Sequence, residues 1–207
     1  MTPAIRKLNL TAHVTSSVGW LGAVAAFLVL SIAGLTSQDA DIVRGAYLSM
    51  NLVGQFIIVP LSLAALLTGL VQSLGTPWGL FRHYWVLVKF TLTIGATIIL
   101  LLHQFTAVAG AARRVSSAAA GTLPDVGRLG VQLVADAGVA VLVLLVITTL
   151  SVFKPWGKTR YGRRANNEAA VKVLPSGLKL LLAAIGVIVL GFLVLHLLGG
   201  GLAHHGR

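Results

Sequence analysis

The stretch WVLVKFTLTIGATIILLLHQFTAV, residues 85–108, decides how the chain is read. It holds one lysine, Lys89, one histidine, His103, and no acid. A run of this length matches the roughly 20 apolar residues that carry a helix across the hydrocarbon of a bilayer. Water is absent at that depth, so each backbone amide must be satisfied within its own segment. A long, uniformly apolar run meets that demand as a helix. An ionisable side chain inside it is expensive and is usually retained for a purpose.

Four further runs of the same kind flank it, at about 10–35, 46–70, 133–153 and 178–198. The expected fold is therefore all-α, an integral membrane bundle of five transmembrane helices. The whole chain, 1–207, forms one transmembrane domain with a basic cytoplasmic loop at 154–177. Composition agrees: 57% of the 207 residues are hydrophobic, 10% are charged, and the mean hydropathy is +0.91. A soluble domain carries about 25% charged residues. Pro60, inside the second run, predicts a kink or a loosened turn. Gly75-Thr76-Pro77-Trp78-Gly79 and Gly121-Thr122-Leu123-Pro124 break the chain between runs. Arg6 and Lys7 before the first run imitate a signal peptide. The apolar stretch from Val18 to Leu35 is longer than the usual core of about 7–15 residues, so a retained helix is expected. Gly19 with Ala23 and Gly22 with Ala26 mark a face where another backbone can come close. Trp78, Trp85 and Trp156 are expected at the membrane–water interfaces.

The formal charge of +11 is unevenly spread. Seven of the 16 basic residues lie between Lys154 and Lys179, with Glu168 the only acid among them. Beside a membrane segment, such a cluster reads as a topology signal and a contact for anionic headgroups, with Lys158, Arg160, Arg163 and Arg164 the expected lipid contacts. Nucleic acid is not an expected partner. With the amino terminus inside, the inner segments hold 11 of the 16 basic residues. The outer segments hold Arg44, Arg113, Arg114, Arg128 and Arg207, and the acids Asp39, Asp41, Asp125 and Asp136. The positive-inside rule thus places a multi-pass protein in the cytoplasmic membrane, amino terminus inside and carboxyl terminus outside. A re-entrant fourth run would reverse the latter.

The chain has no cysteine, which removes thiol catalysis, thiolate metal sites and disulfides. Carboxylates are too few and too peripheral for paired acid–base work, and no glycine-rich phosphate loop follows a strand. What remains is nitrogen chemistry at defined depths. His13, near the start of the first helix, and Lys89, near the start of the third, fall at one level close to the inner face. They are the leading cofactor-binding pair, although Lys89 is also near enough to the interface to snorkel. His103 and His196 fall together at the outer level, about 20 Å away at 1.5 Å rise per residue, as a weaker pair. Imidazoles in layers suit haem, copper or zinc. His83 reads as a loop residue, and His204 with His205 as a solvated tail. Asn51 and Gln55 could tie helices together or line a path. Three functional readings follow: a binder of haem or another ligand at His13/Lys89, a small transporter or metal-uptake component along Asn51, Gln55, His103 and His196, and a structural partner docking protein or anionic lipid through its basic loop. Membrane lipid is the expected partner, and a homo-oligomer is compatible with the pattern.

The set His13-x6-Trp20-x-Gly22, Gly69, and Trp85-x3-Lys89 resembles a broad group of small membrane proteins. That group includes the copper-resistance D-type proteins and the HemJ-type protoporphyrinogen oxidases. The chain is nearest to members without an assigned activity, and the resemblance covers about residues 10–105. In HemJ-type enzymes a first-span histidine and a third-span lysine bind haem b, so the resemblance implies haem b at His13 and Lys89. After Gly22 those enzymes carry a polar and aromatic set, where this chain has Ala23-Val24-Ala25-Ala26-Phe27-Leu28-Val29. The implied role is binding rather than porphyrinogen oxidation.

Overall fold

Helix ends show how the chain builds long rods. In the computed structural model, which describes residues 2–75, 80–119, 121–155 and 157–159, helix α1 spans Pro3–Thr36. Thr2 caps it through its hydroxyl, and Pro3 occupies the first position, where the missing N–H is not needed. Three residues later Asp39 caps α2 (Ala40–Val53), its carboxylate accepting from the amides of Asp41 and Ile42. Helix α2 passes through a π-helical turn, Gly54–Ile58, into α3 (Val59–Gly75). Helix α4 (Tyr84–His103) likewise passes through a π-helical turn, Gln104–Val108, into α5 (Ala109–Ser117). Helix α6 runs unbroken from Gly127 to Phe153. It ends at Lys154, in the left-handed conformation at φ 44°, and Pro155 follows and cannot continue it.

Four rods, Pro3–Thr36, Ala40–Gly75, Tyr84–Ser117 and Gly127–Phe153, are long and apolar enough to cross a membrane. Large apolar side chains face outward along them, including Leu8, Val29, Leu52, Phe56, Leu102 and Val152. Such an exterior is unfavourable in water and natural in lipid. The expected fifth helix, about 178–198, lies outside the described residues, so four spans rather than five stand on the structure. The rods also outrun the predicted spans. The third continues to Ser117 instead of stopping near 108, because Ala, Arg and Ser extend a helix beyond the hydrocarbon without being apolar. The fourth run is not re-entrant: it is one helix of 27 residues, about 40 Å long.

Pro60 does loosen the second rod. It removes the amide that would pair with the carbonyl of Phe56, and Phe56 sits in the π-helical turn. The two π-helical turns face each other. Gln104, 3% exposed, donates from Nε2 to the backbone oxygen and the Oδ1 of Asn51, at 3.2 Å each. Its amide lies so close over Gly54 that a Cβ there would collide with it. Asn51 is thus an interhelical tie, while Gln55 is exposed on the outer face. Of the predicted small-residue face, Gly19 meets Leu61, but nothing lies within 4 Å of a Cβ at Gly22 among the described residues.

Helix α1 packs against α3 and α6, and α4 packs against the same two helices. The result is a four-cornered bundle with α1 and α4 diagonally opposed. At one end lie the start of α1, the end of α3, the start of α4 and the end of α6.

Candidate functional site

That end of the bundle encloses a cavity of about 330 Å³, to which all four corner helices contribute. His13 projects into it from α1 and Lys89 from α4. Across the diagonal, Lys89 Nζ stands 3.3 Å from His13 Nε2. The other ring nitrogen, Nδ1, is 3.1 Å from the Ala65 carbonyl and 3.1 Å from Thr68 Oγ1 on α3. A carbonyl can only accept, so Nδ1 carries the hydrogen. In the neutral ring Nε2 is then the bare nitrogen, and it accepts from Lys89. The tautomer follows from the geometry of α3.

A chain of polar groups supports this arrangement. Thr68 donates its own hydroxyl to Ala64 O at 2.5 Å, which leaves its oxygen open to the histidine. Asn9, one turn before His13, donates to Thr68 O at 3.1 Å and to Gln72 Oε1 at 3.4 Å. Gly69 provides the clearance. A Cβ there would lie 3.0 Å from His13 Cε1, so the imidazole rests almost on the helix backbone. Trp20 lines the cavity from α1 at 4% exposure, and its buried indole N–H finds no acceptor among the described residues.

His13 and Lys89 therefore meet, as their common depth predicted. Lys89 does not snorkel: it is partly buried and turns inward to the imidazole. Trp85, expected at an interface, is buried and lines the same cavity. His103 is not part of this site. Its Nδ1 faces Ile99 O at 3.0 Å, and its Nε2 meets Asp136 of α6 at 2.8 Å. Asp136, expected among the outer acids, thus lies within the bundle as the partner of His103. His196, Arg160, Arg163, Arg164, Trp78, Trp156, His204 and His205 lie outside the described residues.

The opening of the basic segment is not a free linker. Thr159 N donates to Arg82 O at 2.9 Å and Thr159 Oγ1 to Phe81 O at 2.6 Å, while Lys158 forms an antiparallel bridge with His83. Backbone amides near the membrane surface are satisfied by pairing, which holds residues 158–159 against the segment before α4. His83 is correspondingly half-buried and packs at a tilt on Trp85, with ring centroids 6.5 Å apart. At the opposite end Arg44 donates to Ala118 O and Ala119 O, at 3.0 and 3.1 Å, which gives this arginine a structural task.

Among the described residues no group of three His, Cys, Asp or Glu side chains could enclose a metal ion. No known family, curated protein or solved structure matches the chain.

The close seat of His13 on Gly69 generates a test. Alanine at position 69 raises helix propensity but pushes on the imidazole, and the two effects oppose each other. In a His13→Ala background only the first remains. Gly69→Ala should therefore be more favourable there by about 1 kcal/mol, read from thermal unfolding of detergent-purified protein as a double-mutant cycle. Equal effects in both backgrounds would show that the ring does not rest on this glycine.

Proposed function

We propose that this chain is a multi-pass membrane protein that binds a ligand in the His13/Lys89 cavity, with haem b the first ligand to test. The observation that carries the reading is the Lys89 Nζ–His13 Nε2 contact across a cavity at one end of the bundle. A polar pair in lipid that only joined two helices would not need a chamber around it. The volume, about 330 Å³, falls within the roughly 300–1,000 Å³ of small-molecule sites.

The donor set suits haem b in one respect and differs from the expectation in another. His13 holds Nδ1 on a backbone carbonyl and turns Nε2 toward the cavity, the arrangement in which a histidine ligates a metal. Lys89 is placed as a hydrogen-bond donor to that nitrogen, 3.3 Å away, and this bond would give way if Nε2 held a metal. His13 would hold the iron, and Lys89 would meet an acceptor on the ligand. When bound, haem would supply one-electron chemistry; the chain's own part is to fix the imidazole tautomer.

Purified from haem-replete cells, the protein should show a Soret band that His13→Ala abolishes and Lys89→Gln weakens. A colourless preparation that also fails to take up added haemin would remove haem b from this reading.

For orientation we infer that the cavity end faces the cytoplasm. Arg6, Lys7, Arg82, Lys154 and Lys158 lie at that end, and Arg44, Arg113, Arg114 and Arg128 lie at the other with Asp39, Asp41 and Asp125. The cysteine-free chain makes the test simple. An impermeant maleimide added to intact cells should label Thr122→Cys and spare Lys7→Cys. The reverse pattern would invert the topology.

A further inference from the structure

Resting on the proposal that the cavity binds a ligand, we propose that what it selects is a carboxylate carried on an apolar body. The first ground is charge. Lys89 lines the cavity, and no Asp or Glu among the described residues does. A partly buried ammonium on a membrane-length apolar helix gains from a counter-charge, and His13 offers only a neutral lone pair. A ligand carboxylate supplies the missing charge.

The second ground is hydrogen bonding, and it is independent of the first. Trp20 lines the cavity, and its buried indole N–H lacks an acceptor among the described residues. Buried donors are almost always satisfied, and an orphan calls for a partner outside the described chain. Trp20 Nε1 and the remaining N–H groups of Lys89 are all donors, and a carboxylate is acceptor-only, with about four lone-pair sites. Among the described residues no arginine lines the cavity. Planar bidentate recognition of a phosphate usually draws on one, so carboxylate is the better match.

The third ground is the rest of the wall. Leu10, Val14, Leu66, Phe90, Leu144 and Ile147 line the same space, and Leu10 and Val14 also belong to the exposed outer surface of α1. An apolar body fits this lining, and its path can lead from the chamber to the lipid-facing side. Two kinds of molecule share this chemistry: the propionates of haem b and the head of a fatty acid.

Binding to full-length protein in detergent is measured for two matched pairs, oleate with oleyl alcohol and haemin with haemin dimethyl ester. Within each pair only the carboxylate changes. At least one carboxylate form should bind about tenfold more tightly than its neutral partner, and whichever pair does so identifies the source. Trp20→Phe, which keeps a ring and removes the N–H, and Lys89→Gln should each erase most of that preference. Each should lower the affinity of the acid far more than that of its neutral partner. Equal binding of acid and neutral forms would overturn carboxylate selection while sparing the cavity. Failure of all four probes to bind would overturn both readings. Unchanged selectivity in both variants would remove Trp20 and Lys89 as the recognising groups.

Discussion

A nitrogen-bearing side chain inside lipid must find a partner, and here the partner lies across the bundle. Lys89 and His13 sit on helices at opposite corners, each packed on α3 and α6, and they meet over the cavity between them. Their contact depends on a third helix. The Ala65 carbonyl and Thr68 hydroxyl of α3 hold the far side of the imidazole and so decide which nitrogen faces Lys89. Remove that constraint and His13 has two tautomers and no fixed direction. With it, one end of an apolar bundle becomes a chamber with a defined acceptor and a defined donor.

Packing follows from the same demand. Polar groups that would be scattered in a soluble protein are gathered here into interhelical ties. Asn9 reaches Thr68 and Gln72 near the cavity, Gln104 reaches Asn51 between the two π-helical turns, and His103 reaches Asp136 from α4 to α6. Serine and threonine side chains elsewhere donate to their own helices, as Thr93 does to Lys89 O and Thr97 to Thr93 O. Apolar side chains fill the core, with Val24, Met50 and Leu133 buried, and also cover the outer surface. Interhelical hydrogen bonds in lipid are worth only about 0.6–2 kcal/mol each. Their value lies more in fixing which faces meet than in bulk stability.

Much of this was legible in the sequence, for a physical reason. Charge is so costly in the hydrocarbon that gaps between apolar runs mark the helix ends, and the direction of each span then gives depth. Depth alone placed His13 and Lys89 at one level. The supporting groups were not legible, because Asn9, Thr68 and Gln72 are ordinary polar residues whose importance depends on helix rotation. Trp20 and Gly69 were visible only as parts of a recurring pattern; their tasks, an unmatched indole and a seat for the imidazole, needed coordinates. The pairing of His103 with His196 lies outside the described residues; within them His103 meets Asp136, a carboxylate on a neighbouring helix that satisfies a buried imidazole.

The account stands on the closeness of two side-chain nitrogens in the folded protein. Solid-state NMR of uniformly ¹⁵N-labelled protein in lipid bilayers can read it through ¹⁵N–¹⁵N recoupling. At 3.3 Å, a cross-peak should join a lysine Nζ to an imidazole Nε2, and Lys89→Gln or His13→Ala should each delete it. Spectra in which the lysine amines show no imidazole neighbour, with His13 and Lys89 assigned and both helices intact, would mean the two corners of the bundle do not meet.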